Sequence, residues 1–205
     1  SLAGAGDVNG DGYADLAVGA VFANSRYGGV YLFLGSNTGL SSTPDWSATG
    51  ETTSGLFGGS LAGMGDVNGD GYADLAVAAP EYDGKRGKVY VYHGGDPAVL
   101  TAAPVWAVEG ETGNNYFGFS IAGAGDVNGD GYADLAIGAY GYGGLQGKVY
   151  VFQGSVGGFS GTAAGPDWYR EGEGQQGDRF GASVTGAGDV NGDGFSDLAV
   201  GAYAY

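Results

Sequence analysis

A chain of 205 residues with 47 Gly, no Cys and 23 Asp+Glu against 7 Lys+Arg is long enough for a sizeable core, yet its composition excludes several classes at once. Without Cys there is no disulfide framework, thiolate metal site or Cys nucleophile; Lys and Arg are too few for nucleic-acid binding; and no apolar run reaches the roughly 18 residues of a membrane span. Abundant Gly without a period of three, together with 13% aromatic residues, predicts many turns joining short, aromatic-rich strands.

The first feature along the chain is Asp7-Val8-Asn9-Gly10-Asp11-Gly12-Tyr13-Ala14-Asp15. It returns as Asp66 to Asp74, as Asp126 to Asp134 and, with Phe195-Ser196 in place of Tyr-Ala, as Asp189 to Asp197. Aligning the four copies divides the chain into repeats 1–59, 60–119, 120–182 and a shorter 183–205, with no linker left over. A period near 60 without a helical pattern predicts a propeller blade or a similar β array.

Within the second repeat, Phe57 to Gly63 reads as a strand of small residues entering the loop and Asp74 to Ala79 as an apolar strand leaving it, a hairpin whose turn is the loop itself. Lys88 to His93 is a third strand, rich in β-branched and aromatic residues, and Val105 to Glu109 a shorter fourth. The third strand recurs at Val30 to Leu34 and Val149 to Phe152, and the fourth begins again at Trp46 and Trp168. The expected fold is therefore all-β, a β-propeller of four-stranded blades with calcium-binding hairpin loops, against a sandwich or solenoid. Small residues in the first strand fit convergence on a propeller axis. The remainder adds Ser183 to Gly188 and Asp197 to Tyr203, so the chain carries about three and a half blades. An open arc leaves blade faces and edges uncovered, which predicts completion by further blades of a longer parent chain or by self-association.

Each loop puts oxygen-bearing side chains at positions 1, 3, 5 and 9 and Gly at 4 and 6, where a chain wrapping an ion needs unusual backbone angles. Calcium takes six to eight oxygens. The ligands assigned are Asp7, Asn9, Asp11 and Asp15 with the Tyr13 carbonyl; Asp66, Asn68, Asp70, Tyr72 and Asp74; Asp126, Asn128, Asp130, Tyr132 and Asp134; and Asp189, Asn191, Asp193, Phe195 and Asp197, with water completing each shell. Tyr and Phe interchange at position 7 because only the backbone ligates there. Asp-Asn-Gly runs are ordinarily turns, but four copies each ending in Asp-Leu-Ala point to metal. An EF-hand is excluded, because its Glu at position 12 is Val18 here and strands flank the loop; a dockerin loop needs a later acidic ligand and a following helix. Twelve of the 23 acidic residues lie in the loops, and four Ca²⁺ would bring the net charge from −16 to −8. Such loops need the high calcium outside cells, which predicts an extracellular or cell-surface protein.

Phe-Gly-x-Ser-x-Ala-Gly, Asp-x-Asn-x-Asp-Gly-x-x-Asp and Gly-Ala-Tyr or Ala-Ala-Pro resemble the FG-GAP repeats of integrin α-subunit propellers and of secreted bacterial and fungal relatives, over the whole chain. The resemblance implies a propeller that closes with seven blades, structural calcium in the hairpin loops, and ligand binding mostly on the opposite face. The final Pro of the signature survives only at Pro80, being Val21, Tyr140 and Tyr203 elsewhere, so partner identity does not carry over.

His93, the only histidine, has Leu34 and Gln153 as counterparts and is expected to be exposed. Glu171 and Glu173 imitate a glycosidase pair but read as a solvated connection. No nucleophile-His-acid set can be assembled, so no enzyme is expected. Trp46, Trp106 and Trp168 recur once per repeat; a lectin would stack sugars on them, although packing between blades explains them better. The connections after the second strands vary while the scaffold repeats, and varying loops on a rigid frame carry recognition. Candidate ligand contacts there are Phe22, Arg26, Tyr27, Tyr82, Arg86, Tyr140 and Tyr142. The sequence thus reads as a calcium-stabilised extracellular adhesion or binding scaffold for protein or glycan. A lectin and a structural assembly unit are the alternatives.

Overall fold

The computed structural model describes residues 1–95, 99–173 and 177–203; Ala204 and Tyr205, which close the fourth repeat, lie outside them. Strands β1 (Leu2–Gly6), β2 (Asp15–Ala20), β3 (Gly29–Phe33) and β4 (Trp46–Thr49) form the first sheet. The second contains β5 (Ser60–Gly65), β6 (Asp74–Ala79), β7 (Lys88–Tyr92) and β8 (Trp106–Glu109), and the third β9 (Ser120–Gly125), β10 (Asp134–Ala139), β11 (Lys148–Phe152) and β12 (Trp168–Glu171). β13 (Phe180–Gly188) and β14 (Asp197–Ala202) make a two-stranded fourth. Every sheet is an antiparallel meander in chain order, giving three and a half propeller blades.

Burial along the second strands shows why they are apolar throughout rather than alternating. β6 and β10 are buried at every residue because a neighbouring blade covers each face, whereas β14 is at most half-buried. The core consequently lies between sheets. Val30, Leu32 and Phe57 pack on Leu75, Val77 and Tyr90 between the first two blades; Met64, Val89 and Phe117 pack on Leu135, Ile137 and Tyr150 between the next two. Trp46 meets Tyr92 edge-on at 4.9 Å and Trp106 meets Phe152 at 5.0 Å, so both belong to blade packing.

The innermost strands converge as their small residues predict. A Cβ on Gly63 would lie 2.3 Å from the Gly4 carbonyl oxygen, one on Gly123 2.9 Å from that of Gly63, and one on Gly186 2.6 Å from that of Gly123. Strand boundaries move where side chains serve a neighbouring blade. Phe57, expected inside the first strand, precedes β5; its backbone bridges Gly28 of the preceding blade, and its buried ring meets Tyr90 edge-on at 5.3 Å. His93, expected to be exposed, is half-buried, with Nδ1 3.0 Å from the Asn68 amide nitrogen. Burial lowers its pKa, against the opposing charges of Asp70 and Asp66.

Candidate metal centres

Each loop spans an inner hairpin closed by a β-bulge: β1 and β2 change register between Gly4 and Gly6, and Gly6 pairs with Asp15. Gly10 and Gly12 have φ of +76° and +89°, a region that other residues enter at a cost, and this coils the loop around Asp7. The Gly10 and Asp11 N–H groups donate to Asp7 Oδ1 at 2.7 and 3.0 Å, and Gly12 N–H donates to Oδ2 at 2.8 Å. Asp11 N–H also donates to Asn9 Oδ1 at 3.2 Å, and Tyr13 N–H to Asp11 Oδ1 at 2.9 Å. The other three loops repeat these bonds around Asp66, Asp126 and Asp189. Positions 1, 3 and 5 are thus held as one coil.

Position 9 is anchored differently. Asp15 accepts from Val8 N–H at 2.9 Å and, across the blade, from Gly35 N–H at 2.8 Å. Asp74 does the same with Val67 and Gly94, and Asp134 with Val127 and Gly154. Among the described residues Asp197 takes only the bond from Val190. These aspartates are therefore almost wholly buried in the first three loops. Burial pushes the Asp74 carboxyl up to about 7, with the Val67 and Gly94 N–H groups opposing and the Asp70 and Asp66 charges adding to it. Asp15 and Asp134 are raised too, burial first. Asp189 moves the other way, drawn below the usual carboxylate value chiefly by the Gly194 N–H.

Among the described residues no group of three or more His, Cys, Asp or Glu side chains is arranged to hold a metal ion as it stands; the carboxylates are turned toward backbone N–H groups. The donor chemistry nevertheless fits calcium. Every assigned atom is a hard oxygen, and a carboxylate or amide oxygen accepting one N–H retains a second lone pair. In the first three loops the charges of the first- and fifth-position carboxylates add to the burial that raises the ninth-position Asp, and a cation among the three would relieve both repulsion and burial cost.

The profile of the FG-GAP repeat family matches residues 1–33, 57–92, 117–152 and 180–205, which together make up most of the chain and take in all four loops. The chain belongs to the FG-GAP repeat family. It is 40% identical to integrin alpha-6 of Gallus gallus over 152 residues, covering 72% of this chain and 13% of that protein. It is 35% identical to integrin alpha-5 of Xenopus laevis over 207 aligned positions, 97% of this chain and 19% of the relative, and 43% identical to integrin alpha-IIb of Mus musculus over 160, 72% and 15% respectively. The chain therefore spans less than a fifth of the length of these relatives.

The FG-GAP loops also carry contacts that reading them singly missed. The position-7 ring lies on the position-4 Gly of the preceding loop: a Cβ on Gly10 would come within 2.7 Å of the Tyr72 ring, on Gly69 within 2.8 Å of Tyr132, and on Gly129 within 2.6 Å of Phe195. Tyr and Phe interchange, then, because either ring fills this seat, in addition to any ligation by the backbone. Loop-to-loop bonds accompany the rings. Ala73 N–H donates to the Asp7 carbonyl at 3.0 Å, Ala133 to Asp66 at 3.1 Å and Ser196 to Asp126 at 2.8 Å. Val8 and Val67 at position 2 are fully buried between blades, while Val190 is 72% exposed. The signal was present as an invariant Val and an invariant aromatic across four copies.

Of the candidate recognition residues, Phe22, Arg26 and Tyr27 are exposed together on one connection. The other four are half-buried and engaged. Tyr82 and Tyr142 flank the Lys88 and Lys148 ammonium groups at 4.8 and 4.6 Å, Arg86 reaches Glu109 at 3.2 Å, and Tyr140 stacks on Tyr116 at 4.8 Å. The connections Ala23–Arg26, Tyr82–Lys85 and Tyr142–Leu145 are single turns with consecutive positive φ at Asn24, Ser25 and Arg26, at Asp83, Gly84 and Lys85, and at Gly143, Gly144 and Leu145. Glu171 lies 3.8 Å from Lys148, and Glu173 pairs with Arg170.

Proposed function

We propose that this chain is a calcium-pinned segment of an extracellular adhesion propeller that recognises a protein partner and catalyses nothing. The observation that carries the reading is the same oxygen set in four loops, with the ninth-position Asp tied by two N–H bonds to its own loop and to the end of the third strand wherever that strand is present. Asp7, Asn9, Asp11, Asp15 and the Tyr13 carbonyl hold one ion, and the equivalent sets hold three more. Bound calcium supplies charge neutralisation and cross-linking of loop oxygens, a structural role. The likeness to integrin alpha chains supports adhesion and an extracellular setting. The exposed Phe22, Arg26 and Tyr27 cluster is the contact surface best suited to a protein, since aromatic and Arg side chains dominate such interfaces.

Isothermal titration with Ca²⁺, followed by immobilised binding to extracellular-matrix proteins in millimolar Ca²⁺, tests both parts. Four equivalents of bound calcium are expected, with protein binding that a Phe22→Ala, Arg26→Ala, Tyr27→Ala triple variant loses while keeping its calcium. Zero calcium uptake sinks the metal assignment; adhesion untouched by the triple variant sinks the contact surface.

A further inference from the structure

Two peptide groups in series connect each loop to the one before it. The Ala73 N–H donates to the Asp7 carbonyl at 3.0 Å, and the peptide that begins at that carbonyl ends in the Val8 N–H, which donates to Asp15 Oδ2 at 2.9 Å. Ala73 N–H itself belongs to the same peptide as the Tyr72 carbonyl, the candidate position-7 ligand of the second loop. An unbroken relay therefore runs from a backbone ligand of the second loop to the ninth-position carboxylate of the first. It recurs from Tyr132 through Ala133, Asp66 and Val67 to Asp74, with bonds of 3.1 and 2.9 Å. From Phe195 it passes through Ser196, Asp126 and Val127 to Asp134, with bonds of 2.8 and 2.7 Å.

Peptide orientation suits the oxygen sets at both ends. A planar trans peptide points its N–H and C=O in opposite directions. With the Ala73 N–H turned to the first loop, the Tyr72 carbonyl is turned away from it, as a ligand to its own loop must be. A second tie closes each pair of loops. Gly95 N–H donates to the Val8 carbonyl at 2.9 Å while the adjacent Gly94 N–H donates to Asp74 Oδ1 at 3.0 Å, and Ser155 and Gly154 do the same for Val67 and Asp134 at 3.1 and 2.9 Å. The packing there is tight, since a Cβ on Gly94 would lie 2.4 Å from the Ala73 carbonyl oxygen and 2.6 Å from that of Val8. Neither loop of a pair can rearrange its ninth-position Asp without moving backbone that the other holds.

We propose that this relay couples the loops, so that calcium binding along the row is positively cooperative and filling one loop raises the affinity of its neighbours. The coupling rests on the calcium reading of these loops. Residues 72–74, once ordered at an ion, fix the peptide that in turn fixes Asp7 and Val8, so the neighbouring loop binds with part of its conformational freedom already removed. Hydrogen-bonded peptides in series also polarise one another in the same sense. Through-space electrostatics act with the opposite sign, because charge neutralised in one loop lessens the attraction of the acidic row for the next cation. That opposing effect is screened by salt, with a Debye length of about 4 Å at 0.5 M, whereas the relay is not.

The test is a Ca²⁺ titration of the ¹⁵N-labelled 205-residue chain in 0.5 M KCl, in which the amide signals of Gly10, Gly69 and Gly129 report the first three loops separately. Asp70→Ala removes an exposed carboxylate of the second loop that is no part of the relay. It is expected to raise the calcium concentration that half-saturates Gly10 and Gly129 at least about fivefold. Asp11→Ala in the first loop should shift Gly69 by a similar factor, as linkage requires. In that variant the Val8 amide proton should move as the second loop fills, although its own loop holds no ion, while Gly12 N–H stays in place; a loop that merely folds better would not show this. Gly10 and Gly129 filling at unchanged or lower calcium in Asp70→Ala overturns the coupling and leaves the calcium assignment standing. A Val8 amide indifferent to filling of the second loop overturns the relay as its route. Absence of any response at the three glycines overturns the calcium assignment and the coupling together.

Discussion

Asp130 and Asp134 stand four residues apart in one loop and do different work. Asp130 is exposed and bonds within the coil, to Tyr132 N–H and the Asn128 amide. Asp134 is fully buried and is the common acceptor for Val127 and Gly154, so removing it strands two N–H groups. An unsatisfied buried donor costs about 1–3 kcal/mol, offset in part here by relief of a carboxylate that burial already disfavours. Asp134→Ala is therefore expected to destabilise the chain by about 2 kcal/mol even in EDTA. Asp130→Ala, which leaves no buried donor, should be close to neutral in EDTA, within about 0.5 kcal/mol, and destabilising only when calcium is present. Urea unfolding of both variants with and without Ca²⁺ separates the two roles, and equal losses in EDTA would contradict the division.

Between blades, the unit of construction is a clasp from one connection to the next blade's third strand. Lys148, almost fully buried, bonds Glu111 at 2.6 Å and lies over the rings of Tyr142, Tyr150 and Tyr169 at 4.6, 4.8 and 4.2 Å. Lys88 repeats this with Glu51 at 3.0 Å, and each Lys has a second carboxylate nearby, Glu109 at 3.6 Å and Glu171 at 3.8 Å, but the Glu51 side chain is 50% exposed against 23% for Glu111. Breaking a buried pair costs about 3–5 kcal/mol, whereas exposed pairs contribute about 0–1 kcal/mol. Glu111→Gln should accordingly lower stability by about 3 kcal/mol and Glu51→Gln by less than about 1 kcal/mol, read from denaturant midpoints at constant m. What the sequence revealed and concealed follows the same division. The second strands begin at Asp15, Asp74, Asp134 and Asp197 as expected, because loop and strand are contiguous and recur four times. Partners such as Glu111 for Lys148, 37 residues away, the seat of Phe57, and the half-burial of His93 depend on the adjacent blade, and no pattern within one strand encodes them. The left-handed turn at Asn24-Ser25-Arg26 escaped for a related reason: neither Ser nor Arg announces positive φ, and only its glycine-bearing equivalents Asp83-Gly84-Lys85 and Gly143-Gly144-Leu145 hint at it.

Across the whole molecule, the loops lie in a row that joins blade to blade, since the position-7 ring and position-8 N–H of the second, third and fourth loops rest on the loop before. Ordering one loop therefore supports the next, and metal bound at any of them is felt beyond its own hairpin. The net charge of −16 adds a general repulsion, and four divalent ions would halve that charge. A ligand that binds only the folded chain stabilises it by RT ln(1 + [L]/Kd), about 1.4 kcal/mol per site at ten times Kd. Four sites in blades that unfold together sum to about 5–6 kcal/mol, and for a chain of this size each kcal/mol moves the midpoint by about 2–4 °C. Removing calcium with EDTA should lower the melting temperature by about 10–20 °C, and excess Ca²⁺ should restore it. Mg²⁺ at equal concentration should restore little, because it keeps its waters and seldom accepts an all-protein oxygen cage. A melting curve indifferent to EDTA would mean that the rings, clasps and loop-to-loop bonds hold the blades unaided, and that the four acidic loops serve something other than stability.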